Sequence, residues 1–201
     1  LGRAEYLMSR TTDETTRKGL QTIISQVERI TKVMNQLLSF ARRRAPERRA
    51  VALSGVIESG LEMFHERLAR RRIEIETDCG DACLPVHADA DQMSQVLINL
   101  LMNAIDAMPD GGQVRIRIRP VEPDVVEWTI MDTGSGMSSD VLEKVFDPFF
   151  TTKEFGAGTG LGLTVVKGIM DEHGGSISAE SEPGKGTTFK MILPRSEQGS
   201  R

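Results

Sequence analysis

A chain of 201 residues with a formal net charge of −4, ordinary apolar content and few aromatics is long enough for one full globular domain and an appendage. No apolar run approaches the roughly 18 residues that span a bilayer, and no signal peptide opens the chain, so neither a membrane contact nor a secretory leader is expected. Cys79 and Cys83 are the only cysteines and no histidine cluster accompanies them, which argues against a zinc or disulfide framework and fits a reducing, cytoplasmic compartment.

The charge is unevenly divided. The first 50 residues hold 11 basic and 5 acidic side chains. A basic arm raises nucleic acid as a partner, but no reading helix or aromatic stacking platform accompanies it, and no nucleic acid is expected. Arg42-Arg43-Arg44 stands where a helix should end, and cations there suit the helix dipole. The chain opens on Leu1, and its start reads as a cut through a longer protein.

In chain order, residues 1–8 read as the tail of a helix, and the polar run from Arg10 to Thr16 reads as a loop or frayed turn. Leu20, Ile23, Val27, Ile30, Met34, Leu37 and Ala41 then follow a 3, 4, 3, 4 spacing, an a/d heptad. Ile24, Val33 and Leu38 widen that stripe to the face a four-helix bundle uses. Pro46 closes the helix, and a boundary is expected over residues 46–50. From Val51 strands and helices alternate. The expected order is a strand over 50–53, a helix over 55–71 capped by Ser54, and strands over 73–76 and 86–88. A helix capped by Asp89 or Asp91 and carrying Asn103 follows, then a turn at 109–112 and strands over 114–118 and 125–131. Ser138 or Ser139 caps a short helix to about Val145. Residues 147–158 lack a period and read as a mobile loop. A helix runs from Thr159 or Gly160 to about His173, then come strands over 176–181 and 187–193 and a polar tail. Helices with a mixed sheet predict an α+β fold, a two-layer α/β sandwich preceded by a long coiled-coil or bundle helix.

Four segments carry candidate chemistry. Asn99 and Asn103 lie four residues apart, on one face of an otherwise apolar helix. They are either a polar seam satisfied within a core or neutral oxygen ligands suited to Mg²⁺. Asp132 ends a strand and enters the glycine turn Thr133-Gly134-Ser135-Gly136-Met137. It is either an ordinary capping residue or an acceptor for an exocyclic amine such as adenine N6, with Gly134 and Gly136 admitting a flat base. Gly158-Thr159-Gly160-Leu161-Gly162-Leu163 opens a helix whose unpaired amides suit phosphate oxygens. It is neither a Walker loop nor a Rossmann fingerprint. Gly184-Lys185-Gly186-Thr187-Thr188 reads as a hairpin turn, with a wall of the base pocket as the alternative.

With these motifs in order, residues 51–194 resemble the ATP-binding domain shared by sensor histidine kinases, gyrase, MutL and heat-shock chaperones. Asn99-Leu100-Leu101-Met102-Asn103-Ala104, continued by Asp106 and Ala107, resembles the N box. Asp132 to Gly136, with Met137, resembles the first glycine box. Phe146-Asp147-Pro148-Phe149-Phe150-Thr151-Thr152-Lys153 resembles the F box particular to histidine kinases. Gly158 to Leu163 and Gly184 to Phe189 resemble the remaining glycine boxes. The helix before them is similar to the second helix of the kinase dimerisation and phosphotransfer hairpin.

The resemblance implies ATP and Mg²⁺ as ligands. Asn103 would hold the metal, and Asp132 the adenine amine beside Gly136. Lys153 would belong to a lid and reach a phosphate. Gly158, Gly160 and Gly162 would cradle phosphates beside Thr159, Leu161 and Leu163. Phe146, Thr151, Thr152 and Thr187 would line the site. Asn99 stands where hydrolytic relatives carry a water-activating glutamate, and an amide takes no proton from water at neutral pH, so transfer is favoured over hydrolysis. The implied domains are a partial dimerisation and phosphotransfer region over 1–45, a linker over 46–50, a catalytic domain over 51–195 and a tail over 196–201. The implied partners are a second protomer through the hairpin helix and the aspartate of a response regulator receiver domain, in a parent protein that a membrane anchor elsewhere would suit.

One departure is large. The family's phosphoacceptor histidine is followed by an acidic residue and, a few positions on, by proline. Of His65, His87 and His173 only His65-Glu66 begins that way, and it lies inside the ATP-binding segment without the proline. The acceptor is expected upstream of Leu1, leaving this stretch unable to phosphorylate itself. The competing readings are an ATPase switch of the gyrase or MutL kind, which Asn99 opposes, and a non-catalytic dimerisation module, which the intact glycine loops oppose.

Overall fold

In chain order the elements are α1 (Gly2–Arg10), α2 (Glu14–Ala41), β1 (Arg49–Ala52), α3 (Leu53–Arg70), β2 (Ile73–Asp78), β3 (Pro85–Ala88), α4 (Ala90–Ala107), β4 (Gly112–Glu122), β5 (Val125–Asp132), α5 (Ser139–Leu142), α6 (Gly162–Glu172), β6 (Ser176–Glu182) and β7 (Gly186–Pro194). They come from a computed structural model that describes residues 2–41, 46–80, 85–153 and 158–196. Two units emerge: Leu1–Arg44 with Lys153–Thr159, and Ala45–Thr152 with Gly160–Arg201.

In the helical unit, α1 and α2 are separated by only three residues. The polar run from Arg10 to Thr16 is therefore not a loop throughout. The Asp13 carboxylate accepts the Thr16 amide at 2.8 Å and the Thr16 hydroxyl at 2.5 Å, an N-cap that starts α2 at Glu14. Within the heptad, Ile23 is 55% and Val27 38% exposed. The seam's remaining side chains from Ile30 to Ala41, together with Arg42–Arg44, Cys83, residues 154–157 and the tail from 197, lie outside the described residues.

The α/β unit is built on a five-stranded sheet of order β2-β4-β5-β7-β6 beside a two-stranded β1–β3 ribbon. Only the β2–β4 pair is parallel; the other pairings are antiparallel. Period-two alternation sorts the faces. Ile116 pairs with Ile130 and Ile130 with Phe189, while Trp128 pairs with Ile118 and Met191. All of these are buried on one face. The opposite face carries Arg115, Arg117, Arg119, Glu127 and Thr129, half-exposed, with Arg115 paired to Glu76 at 2.7 Å and Arg119 to Asp78.

Helices α3, α4 and α6 make the second layer, as an α/β sandwich requires. The face of α4 made by Met93, Val96, Leu97, Leu100, Leu101, Ala104 and Ile105 is fully or almost fully buried. Each Met, Val, Leu and Ile side chain on that face contributes about 1.5–3 kcal/mol of transfer free energy. That burial fixes α4 against the sheet and leaves its flank free for other work.

Several boundaries shift from the sequence reading. Ala52, not Ser54, is the N-cap of α3, and it offers no side-chain oxygen. Regular helix in α5 ends at Leu142, with turn-like hydrogen bonds continuing to Asp147. α6 starts at Gly162 rather than at Thr159 or Gly160, because Gly160 has a φ of 66° and cannot join a right-handed helix. The chain also stays ordered past Pro194: Arg195 bridges Val86, and the Ser196 amide donates to the Pro85 carbonyl at 2.8 Å.

Candidate functional site

Asp89 caps α4: its Oδ1 accepts the Asp91 amide at 3.0 Å and the Gln92 amide at 3.2 Å. Beyond the cap, Asn99 and Asn103 stand half-buried one turn apart, beside the buried leucine face. Among the described residues neither carboxamide makes a hydrogen bond. A polar seam satisfied within a core would show partners, so that reading is set aside. Asn99 faces the start of α6; a Cβ placed on Gly162 would stand 3.4 Å from its Oδ1.

The C-terminal end of α4 meets the loop after β5. The Ser135 amide donates to the Ala107 carbonyl at 3.1 Å. A Cβ on Gly134 would stand 2.7 Å from the Ala107 methyl group, so only glycine fits there. Asp132 is 5% exposed. Its Oδ1 accepts the Gly134 amide at 2.8 Å and the Thr187 amide at 3.3 Å. Among the described residues its Oδ2 accepts nothing. Burial raises the Asp132 pKa above the usual carboxylate value, outweighing the two amides that lower it.

The β6–β7 hairpin closes against the same loop. Gly184 donates its amide to the Ser135 carbonyl at 2.7 Å. Gly136, at φ 65°, packs on the Glu182 carbonyl, and any Cβ there would overlap it. Ser181 ties loop to hairpin: its Oγ accepts the Met137 amide at 2.8 Å, donates to the Gly186 carbonyl at 2.9 Å and lies 3.0 Å from the Thr187 hydroxyl. Ser181 carries no motif and was invisible in the sequence; only the strand register reveals it.

At the other end of the site, no side chain among the described residues caps α6. Its N-cap position is Leu161, buried at 5% exposure. The first amides of α6 are thus open to an anion, with the helix dipole behind them. Phe146 stacks edge-to-face on Phe189 with ring centroids 6.5 Å apart, and its carbonyl accepts the Thr164 hydroxyl at 3.2 Å. Leu163 is partly buried on the core. Phe149 holds φ 66°, is 65% exposed, and donates its amide to the Gly160 carbonyl at 3.0 Å.

Of the residues singled out in the sequence, the α/β unit therefore gathers Asn99, Asn103, Ala107, Asp132, Gly134, Gly136, Met137, Phe146, Gly160, Leu161, Gly162, Leu163 and Thr187. Asp106 is at the edge, exposed and 3.6 Å from Arg67 of α3. Thr151 and Thr152 are exposed. Lys153, Gly158 and Thr159 group with the helical unit, and the geometry of the α/β unit does not include them. The described residues gather no cluster of three or more His, Cys, Asp or Glu side chains fit for a metal. One carboxamide beside phosphates suits Mg²⁺, which keeps several waters and rarely takes an all-protein cage.

Residues 88–197 match the family described as histidine kinase-, DNA gyrase B-, and HSP90-like ATPases. The chain is 44% identical over 190 residues to the sensor kinase CckA of Brucella abortus, covering 88% of this chain and 20% of that protein. It is 34% identical to the signal transduction histidine-protein kinase AtoS of Escherichia coli, over 100% of this chain and 33% of that one. The chain thus spans a third or less of these two relatives. A solved histidine kinase, ThkA in complex with the response regulator protein TrrA, superposes with a TM-score of 0.76 at 28% identity, over 99% of this chain and 57% of that one. No helix among the described residues is long and apolar enough to cross a membrane. The uncapped α6, the unpartnered asparagines and the buried aspartate thus sit in a fold whose sequence match places this chain in the histidine kinase-, gyrase B- and HSP90-like ATPase family.

Proposed function

We propose that this chain is the ATP-binding catalytic core of a two-component sensor histidine kinase, moving the γ-phosphoryl of ATP to a histidine and from there to a response regulator aspartate. The observation that carries the reading is one juxtaposition. Two unpartnered carboxamides stand one turn apart on α4, Asn99 facing the uncapped start of α6, while the buried Asp132 carboxylate, with an oxygen that accepts nothing among the described residues, stands at the C-terminal end of α4.

Each residue has a task. Asp132 Oδ2 accepts the adenine 6-amino group, and Gly134 and Gly136 leave room for the base. Thr187 and Ser181 hold the carboxylate and the loop in place. Gly160 and Gly162 admit phosphate oxygens to the α6 amides, and Lys153, Gly158 and Thr159 belong to the lid, with Thr151 and Thr152 at its root. Asn103 would hold Mg²⁺, which when bound would supply charge neutralisation for the triphosphate. Asn99 orients without taking a proton, so water in the site stays inactive. Phosphoryl transfer depends chiefly on such positioning and charge neutralisation.

The region over 1–45 acts as part of the dimerisation hairpin, docking a second protomer along the heptad of α2, with 46–50 as linker, 51–195 as catalytic domain and 196–201 as tail. The response regulator is the partner that the complex of ThkA with TrrA suggests. None of the three histidines suits the acceptor role. His173 is 2% exposed with both ring nitrogens engaged, and His65 lies on α3 within the ATP-binding unit.

Incubation with Mg·[γ-³²P]ATP tests this. The chain itself stays unlabelled and an added phosphoacceptor hairpin from a related kinase becomes labelled. Acid-labile phosphate on the chain itself contradicts the assignment of its histidines, and an unlabelled hairpin contradicts the transfer reaction.

A further inference from the structure

The outer face of the five-stranded sheet, opposite its buried face, has an order of its own. The strand register carries one row across all five strands: Asp78 of β2, Arg117 of β4, Thr129 of β5, Lys190 of β7 and Ser178 of β6. Arg117 is the middle one of three arginines that alternate along β4, and the carboxylates near it belong to its neighbours. Arg115 Nε and a terminal nitrogen of the same guanidinium both meet Glu76 Oε2 at 2.7 Å. Arg119 forks the two oxygens of Asp78, so the carboxylate beside Arg117 in register is turned to Arg119.

Among the described residues Arg117 makes no hydrogen bond or ion pair, and its Nε is buried without a partner. Thr129 Oγ1 likewise bonds to nothing among them. A buried donor without an acceptor is costly, so this position favours an acceptor from outside the chain. With no bond to hold it, the Arg117 side chain can turn its fork toward such a group. A cleft of about 190 Å³ opens at this point, lined by Arg115, Arg117, Arg119, Glu127, Thr129 and Met131.

Size and charge narrow the ligand. A cavity of about 150 Å³ holds one benzene ring, whereas drug-sized ligands need roughly 300 Å³ or more; a single ring or a short chain fits here and a nucleotide does not. Glu76 and Asp78 offset Arg115 and Arg119, and Glu127 lies 3.9 Å from Lys190. One cation, Arg117, is left over. Glu74 and Glu180 stand on the same face toward its two edges, where they repel polyanions.

We propose that this cleft binds a small organic monocarboxylate. The Arg117 fork pairs with its carboxylate, since a guanidinium matches that geometry with two parallel hydrogen bonds, and the Thr129 hydroxyl donates a third. The apolar body lies against Met131, itself 38% exposed, and the aliphatic stems of Arg115 and Arg119. The site is on the face opposite the nucleotide residues and does not rest on the kinase reading above.

Proton–nitrogen NMR of the 201-residue chain tests this, with sodium benzoate titrated against sodium chloride at matched ionic strength. Benzoate should shift the Arg117 Nε–H and the Thr129 and Met131 amides along one saturable curve, with a dissociation constant on the order of millimolar. Arg117→Gln should raise that constant at least about tenfold, and Arg117→Lys, which keeps the charge and lacks the fork, several-fold. Amides remote from the face stay in place in both variants, which shows an intact fold. Equal shifts with chloride mean an adventitious ion only and overturn the site. So does a benzoate response that stays linear, or one that Arg117→Gln leaves unchanged. Tighter binding of inorganic phosphate or of a hexaglutamate peptide than of benzoate overturns the ligand class.

Discussion

Asp132→Asn is the sharpest perturbation of the base pocket. The carboxylate is 5% exposed, and its Oδ1 is committed to the Gly134 and Thr187 amides. An asparagine keeps that acceptor and turns its NH₂ toward the position of the adenine 6-amino group. The variant loses a hydrogen bond to a charged acceptor, about 1.5–3 kcal/mol, and gains a donor–donor conflict. The dissociation constant for Mg·ATP should therefore rise about 10- to 100-fold. GTP presents a 6-oxo acceptor, so its binding should improve and the ATP preference should shrink or invert. Calorimetry with both nucleotides on wild type and variant measures this; unchanged selectivity refutes the adenine contact.

The same site has a pH signature. Burial raises the Asp132 pKa in the fold. The folded state then binds more protons than the unfolded one between the unfolded value, near 3.9, and the raised value. Stability falls as pH rises through that window, and ATP affinity falls as pH drops through the raised value, because a protonated carboxyl loses its charged acceptor. Asp132→Asn should flatten both slopes.

Other outcomes follow from the geometry. Asn103→Ala should weaken Mg·ATP binding on the order of tenfold and leave metal-free ATP binding nearly unchanged; equal Mg·ATP affinity in titrations removes the metal role. Ser181→Ala leaves the Met137 amide without its acceptor, a loss of about 1–3 kcal/mol, seen as a lower urea midpoint and weaker ATP binding. Gly136→Ala forces a Cβ onto the Glu182 carbonyl at φ 65° and should destabilise the loop by about 1–3 kcal/mol; wild-type stability would show that the loop simply relaxes. Burial works to raise the pKa of Asp89, but amides from Glu47, Gln92 and Asp91 hold it below the usual value. Its contribution should be complete above the unfolded value near 3.9 and vanish as pH falls through the folded one, a slope that Asp89→Asn abolishes in pH-dependent denaturation.

Much of this architecture was legible because local chemistry and global burial agree. The leucine face of α4 and the alternation in β4, β5 and β7 follow from periodicity alone, and Asp89 was visible as a cap. Helix starts were read less well. At α2 the Asp13 cap was hidden in a run of polar residues that looked like loop. At α6 the glycine motif suggested a start two or three residues early, since the sign of φ at Gly160 is not written in its identity. Ser54 has the right chemistry for a cap but stands inside the first turn of α3. In the site, motif residues were accessible, whereas Ser181 and His173 act through contacts made by strand register and by the crossing of two helices. Those contacts join residues 44 and 84 positions apart, beyond the reach of any local pattern.

Titration of the chain with ATP in a calorimeter, with and without Mg²⁺, tests the central claim most directly. The account predicts one saturable site per chain, tightened by the metal and reduced in both Asn103→Ala and Asp132→Asn. Absence of saturable heat and of thermal protection at millimolar Mg·ATP would contradict it.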